Sequence, residues 1–225
     1  MIRVKGCIFD LDGVVVDTAK YHFQAWRDLA IGLGFSLSVQ DNEKLKGVSR
    51  SESLEILLNL GKMSLSDHRK QELMDEKNRA YLAYVDKMTS EEVLSGAIEF
   101  INELRSLNIK IALGSASKNA KRILEKTEIT DLFDVVVDGN MVVKSKPDPE
   151  IFLKAAELLE VAPSEALVFE DALSGIEAAH AAGIKTIGVG SAEALKIANA
   201  TIESLKEANV SSIFKVIGVT TATES

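Results

Sequence analysis

The sequence predicts an α/β protein, a parallel sheet covered by helices on both faces, interrupted once by a wholly helical insertion. Three observations predict it. Short apolar runs such as "IKIALG", "ALVFE" and "KTIGVG" alternate with amphipathic stretches, the pattern of buried parallel strands joined by crossover helices. Several runs end in polar or acidic residues, and ligands of such sheets bind beyond the carboxyl ends of the strands. From about Asp17 to Ser90 the rhythm breaks, with helical stripes and no convincing strand.

Taken in order, Val4 to Phe9 reads as the first buried strand and ends in "DLDG". In the insertion, Phe23, Trp26, Leu29, Ala30 and Leu33 form one helical stripe, Leu54, Ile56, Leu57 and Leu58 belong to a second, and Leu73 to Val85 to a third. Beyond Gly96, Ile98, Ile101, Leu104 and Leu107 recur at helical spacing, and "IKIALGS" is a strand ending at Ser115. A helix through Ile123 and Leu124, the strand "DVVVDG" and the loop "KSKPDP" follow. Phe152, Ala155, Ala156 and Leu159 mark the next helix, "ALVFED" the next strand, and Ala172 to Ala182 a helix stopped by Gly183. "KTIGVG" and Ala200 to Ile202 complete a Rossmann-like sheet. The tail "GVTTATES" is expected to fray. The domain expectation is an α/β core of residues 1–16 and 91–225 and a helical cap of residues 17–90.

A chain of 225 residues that is 46% hydrophobic can bury a sizeable core. Its net charge of −8 argues against nucleic acid, which needs a basic face, but not against a small anion met by a few local cations. The single cysteine, Cys7, lies in the first strand and reads as a small core residue. With no disulfide framework, signal peptide or membrane-spanning run, the expectation is a cytoplasmic protein, monomeric and without a membrane partner.

The end of the first strand carries the chemistry. Asp10 and Asp12 are two residues apart, so in extended chain their side chains point the same way. Converging carboxylates at the end of a buried strand call for a cation, and hard oxygen donors suit Mg²⁺. An ordinary "DG" turn would explain the same residues. The other strand ends add to the set: "GSAS" brings Ser115 to Ser117, "ED" brings Glu170 and Asp171, and the loop "KSKPDP" brings Lys144 and Lys146. Carboxylates, a hydroxyl with free amides and a lysine on one sheet edge are the parts needed for phosphoryl transfer through an aspartyl phosphate.

In the order in which they occur, "DLDGVVVDT", "GSASKN", "KSKPDP" and "VFEDALSGIEAAHAAG" resemble the four motifs of the haloacid dehalogenase-like phosphotransferases. The resemblance implies Asp10 as nucleophile and Asp12 as general acid and base, with the main-chain carbonyl of Asp12 on the metal. It agrees with what the residues alone offer: Glu170 and Asp171 completing a Mg²⁺ site with Asp10, Ser115 and the amides after it holding phosphate oxygens at a helix N-terminus, and Lys146 neutralising charge between the nucleophile and the phosphoryl group. The helical insertion then corresponds to a C1-type cap.

The segments "DTAKYHFQAW", "LKGVSR" and "SASKN" are similar to the sugar-phosphate mutases of that family. This implies interconversion of β-D-glucose 1-phosphate and glucose 6-phosphate through the 1,6-bisphosphate. It places His22 near the hinge, where it helps engage the acid/base aspartate. Arg50, with Ala116, Ser117, Lys118 and Asn119, would hold the phosphate that is not being transferred. Lys46, Gly47 and Ser53 would contact or border the sugar. Duller roles compete: His22 as a packing residue, Arg50 as an exposed helix-start cation, Lys144 as a solvated lysine. Trp26 reads as cap core rather than a sugar platform. A sugar-phosphate phosphatase shares every core motif, and a phospho-receiver domain shares the carboxylates, hydroxyl and lysine but has no need of a cap.

Overall fold

A computed structural model describes residues 2–220. Its strands are β1 (Ile2–Arg3), β2 (Gly6–Phe9), β3 (Lys110–Gly114), β4 (Val135–Val137), β5 (Ala166–Glu170), β6 (Lys185–Val189), β7 (Ala200–Ile202) and β8 (Val219–Thr220). Its α-helices are α1 (Ala19–Gly32), α2 (Val39–Asn42), α3 (Arg50–Leu60), α4 (Asp67–Val85), α5 (Ala97–Ser106), α6 (Ala120–Lys126), α7 (Glu150–Leu158), α8 (Leu173–Ala181) and α9 (Val210–Ile217).

Six parallel strands form the main sheet in the order β4-β3-β2-β5-β6-β7. The chain runs outward from β2 in one direction and then returns to build the other half, which makes β2 the switch point where open α/β sheets bind ligands. Period-2 alternation separates the two faces. Cys7, Phe9, Ile111, Leu113, Leu167 and Phe169 pack with α5, α6 and α9 on one side. Ile8, Ala112, Ala166 and Val168 pack with α7 and α8 on the other. With both faces covered, the strands must be apolar throughout, and β2 and β5 are buried at every residue.

The first strand is shorter than the run Val4–Phe9 suggests. The Val4 amide bonds to Thr220 while Lys5 bonds to Glu165 and Lys110, so the chain passes between two sheets at this point. The expected fraying of the tail is corrected for its first residues. The amphipathic α9 buries Val210, Ile213, Phe214 and Ile217, Gly218 turns the chain at φ 67°, and Val219–Thr220 pairs in parallel with Ile2–Arg3. Residues 221–225 lie outside the described residues.

The helices α1, α3 and α4 pack about a core of their own, formed by Trp26, Leu29, Ala30, Leu54, Leu57, Leu58 and Leu73. They form the cap. Its α3 starts in a full capping box, in which the Ser49 hydroxyl accepts the Glu52 amide and the Glu52 carboxylate accepts the Ser49 amide. The two strands of chain that enter and leave the cap are stitched together, the Asp17 amide donating to the Glu92 carbonyl at 2.8 Å and Leu94 to Val15 at 2.9 Å.

Candidate active site

The register that pairs Phe9 with both Leu113 and Phe169 carries the next residues, Asp10, Gly114 and Glu170, to the same sheet edge. The Asp10 amide still follows the ladder, donating to the Phe169 carbonyl at 3.0 Å. Both carboxylates are buried, and Lys146 lies between them with no exposure. Its ammonium donates to Asp10 Oδ1 at 2.5 Å and Glu170 Oε2 at 2.8 Å. Burial alone would depress the lysine, yet the flanking Asp10 and Glu170 hold it above its ordinary value. Among the described residues, oxygens of Asp10, Glu170 and Asp171 lie within 4.8 Å of one another.

That carboxylate cluster is short of positive charge. Burial, then the Asp10 charge, pushes Glu170 up to about 7 despite Lys146. Burial, then Glu170 and Asp10, raises Asp171 well above the carboxylate range. Three hard oxygen donors that repel one another fit a divalent cation. The backbone leaves room for the cluster: Gly13 turns at φ 83°, and a Cβ there would collide with the Asp171 carboxylate.

Asp12 stands apart from the three. Its Oδ1 accepts the Thr18 hydroxyl at the start of α1. Burial, then the Asp10 charge, lifts it to about 6, with Thr18, Lys77 and Lys146 opposing. His22 Nε2 lies 3.6 Å from the same oxygen. Lys77 Nζ is 2.8 Å from His22 Nδ1. While Lys77 is charged it can only donate, which makes Nδ1 the acceptor and puts the imidazole proton on Nε2, on the side of Asp12. Burial, then Lys77 and Arg50, keeps His22 neutral.

Among the described residues, cap and core together line a cavity of about 380 Å³. Asp10, Asp12, Lys146 and Asp171 line it, as do His22, Lys46, Gly47, Arg50 and Ser53 from the cap and Ala116 to Asn119 from the core. Arg50 opens α3 and is half-buried. Burial depresses its guanidinium below the usual range. Lys46 Nζ sits 3.0 Å from Glu43 and 3.9 Å from Asp171. Gly47, at φ 70°, lets the cap loop touch the start of α8, where Ser174 donates to the Lys46 carbonyl at 3.2 Å. Ser53 is buried and its hydroxyl donates to the Leu45 carbonyl at 3.4 Å.

Ser115 and Glu170 lie behind this lining, both with no exposure. Ser115 Oγ accepts the Ser117 amide at 3.1 Å, and α6 begins only at Ala120, so the expected helix N-terminus after Ser115 is corrected: the backbone at Ala116 to Asn119 is loop. Lys144 is exposed and pairs with Asp148 at 3.2 Å. Trp26 belongs to the cap core and also borders the cavity.

Sequence reasoning missed Lys77, Thr18 and Asn78. Lys77 was visible in principle, because Leu73, Lys77, Tyr81 and Val85 repeat at four-residue spacing and form the buried face of α4. A lysine on an apolar stripe marks a buried charge. Its Nζ lies over the Trp26 and Tyr81 rings at 4.8 and 4.6 Å. Asn78, which accepts from Asn119 at 3.1 Å across the cap–core gap, carries no comparable signal.

A doubly wound sheet with clustered carboxylates and a buried lysine at its switch point, under a helical cap, defines an enzyme that transfers phosphoryl groups. Residues 4–183 match the family described as haloacid dehalogenase-like hydrolase, and the chain belongs to it. A β-phosphoglucomutase of Bacillus subtilis is 45% identical over 189 residues, covering 83% of this chain and 84% of that protein. A phosphorylated carbohydrates phosphatase of Thermotoga maritima is 34% identical over 187 residues, covering 82% and 84%. The crystal structure of a β-phosphoglucomutase from Clostridium difficile superposes with a TM-score of 0.91 at 40% identity, covering 96% of this chain and 97% of that one. Among the described residues no helix is long and apolar enough to cross a membrane.

Proposed function

We propose that the chain is a β-phosphoglucomutase, an isomerase that interconverts β-D-glucose 1-phosphate and glucose 6-phosphate through the 1,6-bisphosphate and an aspartyl phosphate. The observation that carries this is a single cavity with anion-binding groups from both domains. Lys146 stands beside Asp10, while Arg50 on the cap and Lys118 on the core line the same cavity. A cavity of about 380 Å³ suits a small ligand such as a hexose bisphosphate.

In this mechanism an Asp10 oxygen attacks phosphorus and the sugar oxygen leaves with a proton from Asp12. In the reverse sense Asp12 takes the proton of the attacking sugar hydroxyl. A group near pKa 6 is suited to both directions at neutral pH. His22 Nε2, which has no hydrogen-bond partner among the described residues, faces that carboxylate from 3.6 Å. Lys146 holds Asp10 and neutralises the phosphoryl oxygens. Asp10, Glu170 and Asp171, with the Asp12 carbonyl, would hold Mg²⁺, whose charge offsets that of the nucleophile and the phosphoryl group. Arg50, Ser117, Lys118 and Asn119 grip the other phosphate, and Lys46, Gly47 and Ser53 border the sugar. Residues 17–90 act as the cap over a core of residues 1–16 and 91–225.

The 34% identity to a carbohydrate phosphatase supports a second reading, in which water takes the phosphoryl group. One experiment separates the two. The protein is incubated with Mg²⁺, β-glucose 1-phosphate and a trace of the bisphosphate, and glucose 6-phosphate and inorganic phosphate are followed together. A large excess of glucose 6-phosphate is expected. Stoichiometric inorganic phosphate would replace the mutase reading with the phosphatase one.

A further inference from the structure

Lys146 rides on an irregular loop that a carboxylate grips from each side. From the core, Glu150 at the start of α7 turns back onto it. Both oxygens of Glu150 lie 3.1 Å from the Val143 amide, and Oε2 accepts the Lys144 amide at 2.8 Å. These bonds hold the Glu150 carboxyl below the usual range. The Asp148 amide donates to the Ser145 carbonyl at 3.0 Å, and Asp148 Oδ1 accepts the Glu150 amide at 3.0 Å. This grip lies wholly within the core and needs no cap.

The second grip comes from the cap. Glu52 Oε2 accepts the Ser145 hydroxyl, a contact between residues 93 apart in sequence. The same oxygen accepts the Ser49 amide at 3.3 Å and the Ser49 hydroxyl at 3.0 Å, the capping box from which α3 begins with Arg50. One carboxylate oxygen thus touches both the start of the helix that presents Arg50 and the residue preceding Lys146. Glu52 is exposed and Ser145 only half-buried, so burial does not require the pairing. Any swing of the cap away from the core breaks it.

We infer that Glu52 is a positioning residue that reports cap closure to Lys146. A substrate phosphate that draws Arg50 and α3 inward brings Glu52 onto the Ser145 hydroxyl. That contact fixes the loop with Lys146 Nζ between Asp10 and Glu170. A small phosphoryl donor that does not reach the cap leaves the loop on its Glu150 grip alone. The inference rests on the proposed use of Lys146 and Arg50 with a sugar phosphate, and not on which sugar it is.

Ser145→Ala tests this cleanly, because it removes the cross-domain donor and leaves the capping box intact, and Ser145→Thr restores a hydroxyl. Each variant is assayed with acetyl phosphate and with whichever member of a panel of hexose and pentose phosphates wild type turns over fastest. Loss of one hydrogen bond to a carboxylate should lower kcat on the sugar phosphate by about three- to tenfold, with KM within about twofold. Acetyl phosphate turnover should hold, and Ser145→Thr should recover most of the loss. Glu52→Gln, which can still serve a capping box, should add little on top of Ser145→Ala. Equal losses on both donors, a loss confined to KM, or no loss in Ser145→Ala would overturn the inference. Turnover of other sugar phosphates but not β-glucose 1-phosphate would defeat the mutase reading while leaving this one intact, and wild type inert on the whole panel would defeat both.

Discussion

Lys77 on α4 places its Nζ 2.8 Å from His22 Nδ1 on α1, so that, while charged, this cap lysine holds the imidazole proton on the side facing Asp12. The lysine has little exposure, and burial, then Arg50, pulls it down to about 7 while Asp12 opposes.

This arrangement couples stability to pH. The folded chain releases the Lys77 proton near pH 7 and the unfolded chain near 10.5. The unfolded state therefore binds more protons across that window, and the stability due to this group rises with pH. Lys77→Met should raise the melting temperature below about pH 7, with a gain of at most a few kcal/mol that fades towards pH 10. The same variant should lose about one to two orders of magnitude in kcat, since His22 loses the donor that sets its tautomer. Thermal unfolding at both ends of the window is the check, and an equal gain at both would mean that the buried charge is not the burden.

Metal binding should be pH-dependent in the opposite sense to simple stability. Glu170 is raised to about 7 from 4.5 in the folded chain. With no metal, the folded state holds the extra proton between those values, so its stability should fall as pH rises through that window. A divalent cation must displace such protons, so its apparent affinity should weaken below about pH 7, by up to about tenfold per pH unit for each proton displaced. Calorimetric titration with Mg²⁺ at about pH 6 and 8 would show this. Asp171→Asn should reduce the affinity at both values, and an affinity indifferent to pH would separate these carboxylates from the metal.

Asp10 and Asp12 should fail differently. Asp10→Asn removes the attacking oxygen, so no hydroxylamine-sensitive phosphoenzyme should form. Asp12→Ala keeps the nucleophile and the main-chain carbonyl, so metal affinity should fall far less than in Asp171→Ala while transfer to the sugar drops by about two to four orders of magnitude. Matching losses of metal binding in Asp12→Ala and Asp171→Ala would show that ligand and catalyst have been interchanged.

Arg50 should distinguish substrates by their second phosphate. Removing a charge-assisted anchor costs roughly 1.5–3 kcal/mol, so Arg50→Ala should slow mutase turnover by about one to two orders of magnitude. Arg50→Lys keeps the charge without the planar fork and should fall between. Acetyl phosphate hydrolysis should persist in both. A common loss on both donors would reassign Arg50 to support of the fold.

The sequence by itself determined the sheet, the helical insertion and the carboxylates at the strand ends, because each is a local pattern. Short apolar runs bounded by turn residues and alternating with amphipathic helices read as doubly buried strands, and the polar residues at their carboxyl ends gather on one edge of a parallel sheet. The family resemblance added roles for His22 and Arg50 that no spacing reveals. Tertiary structure alone decided the rest. Lys77 reads as one more charge in "DEKNR" until α4 turns it inward. Ser145 and Glu52, 93 residues apart, meet only because the cap folds back over the core. Ser115, which "GSAS" offers to a ligand, lies behind the cavity wall because its strand is buried to the last residue. Val219–Thr220 is ordered by a pairing with Ile2–Arg3. Local periodicity specifies which residues are apolar and which way they face. Contacts between distant segments depend on how those elements dock, and docking is set by packing across the whole chain rather than by any short stretch of it.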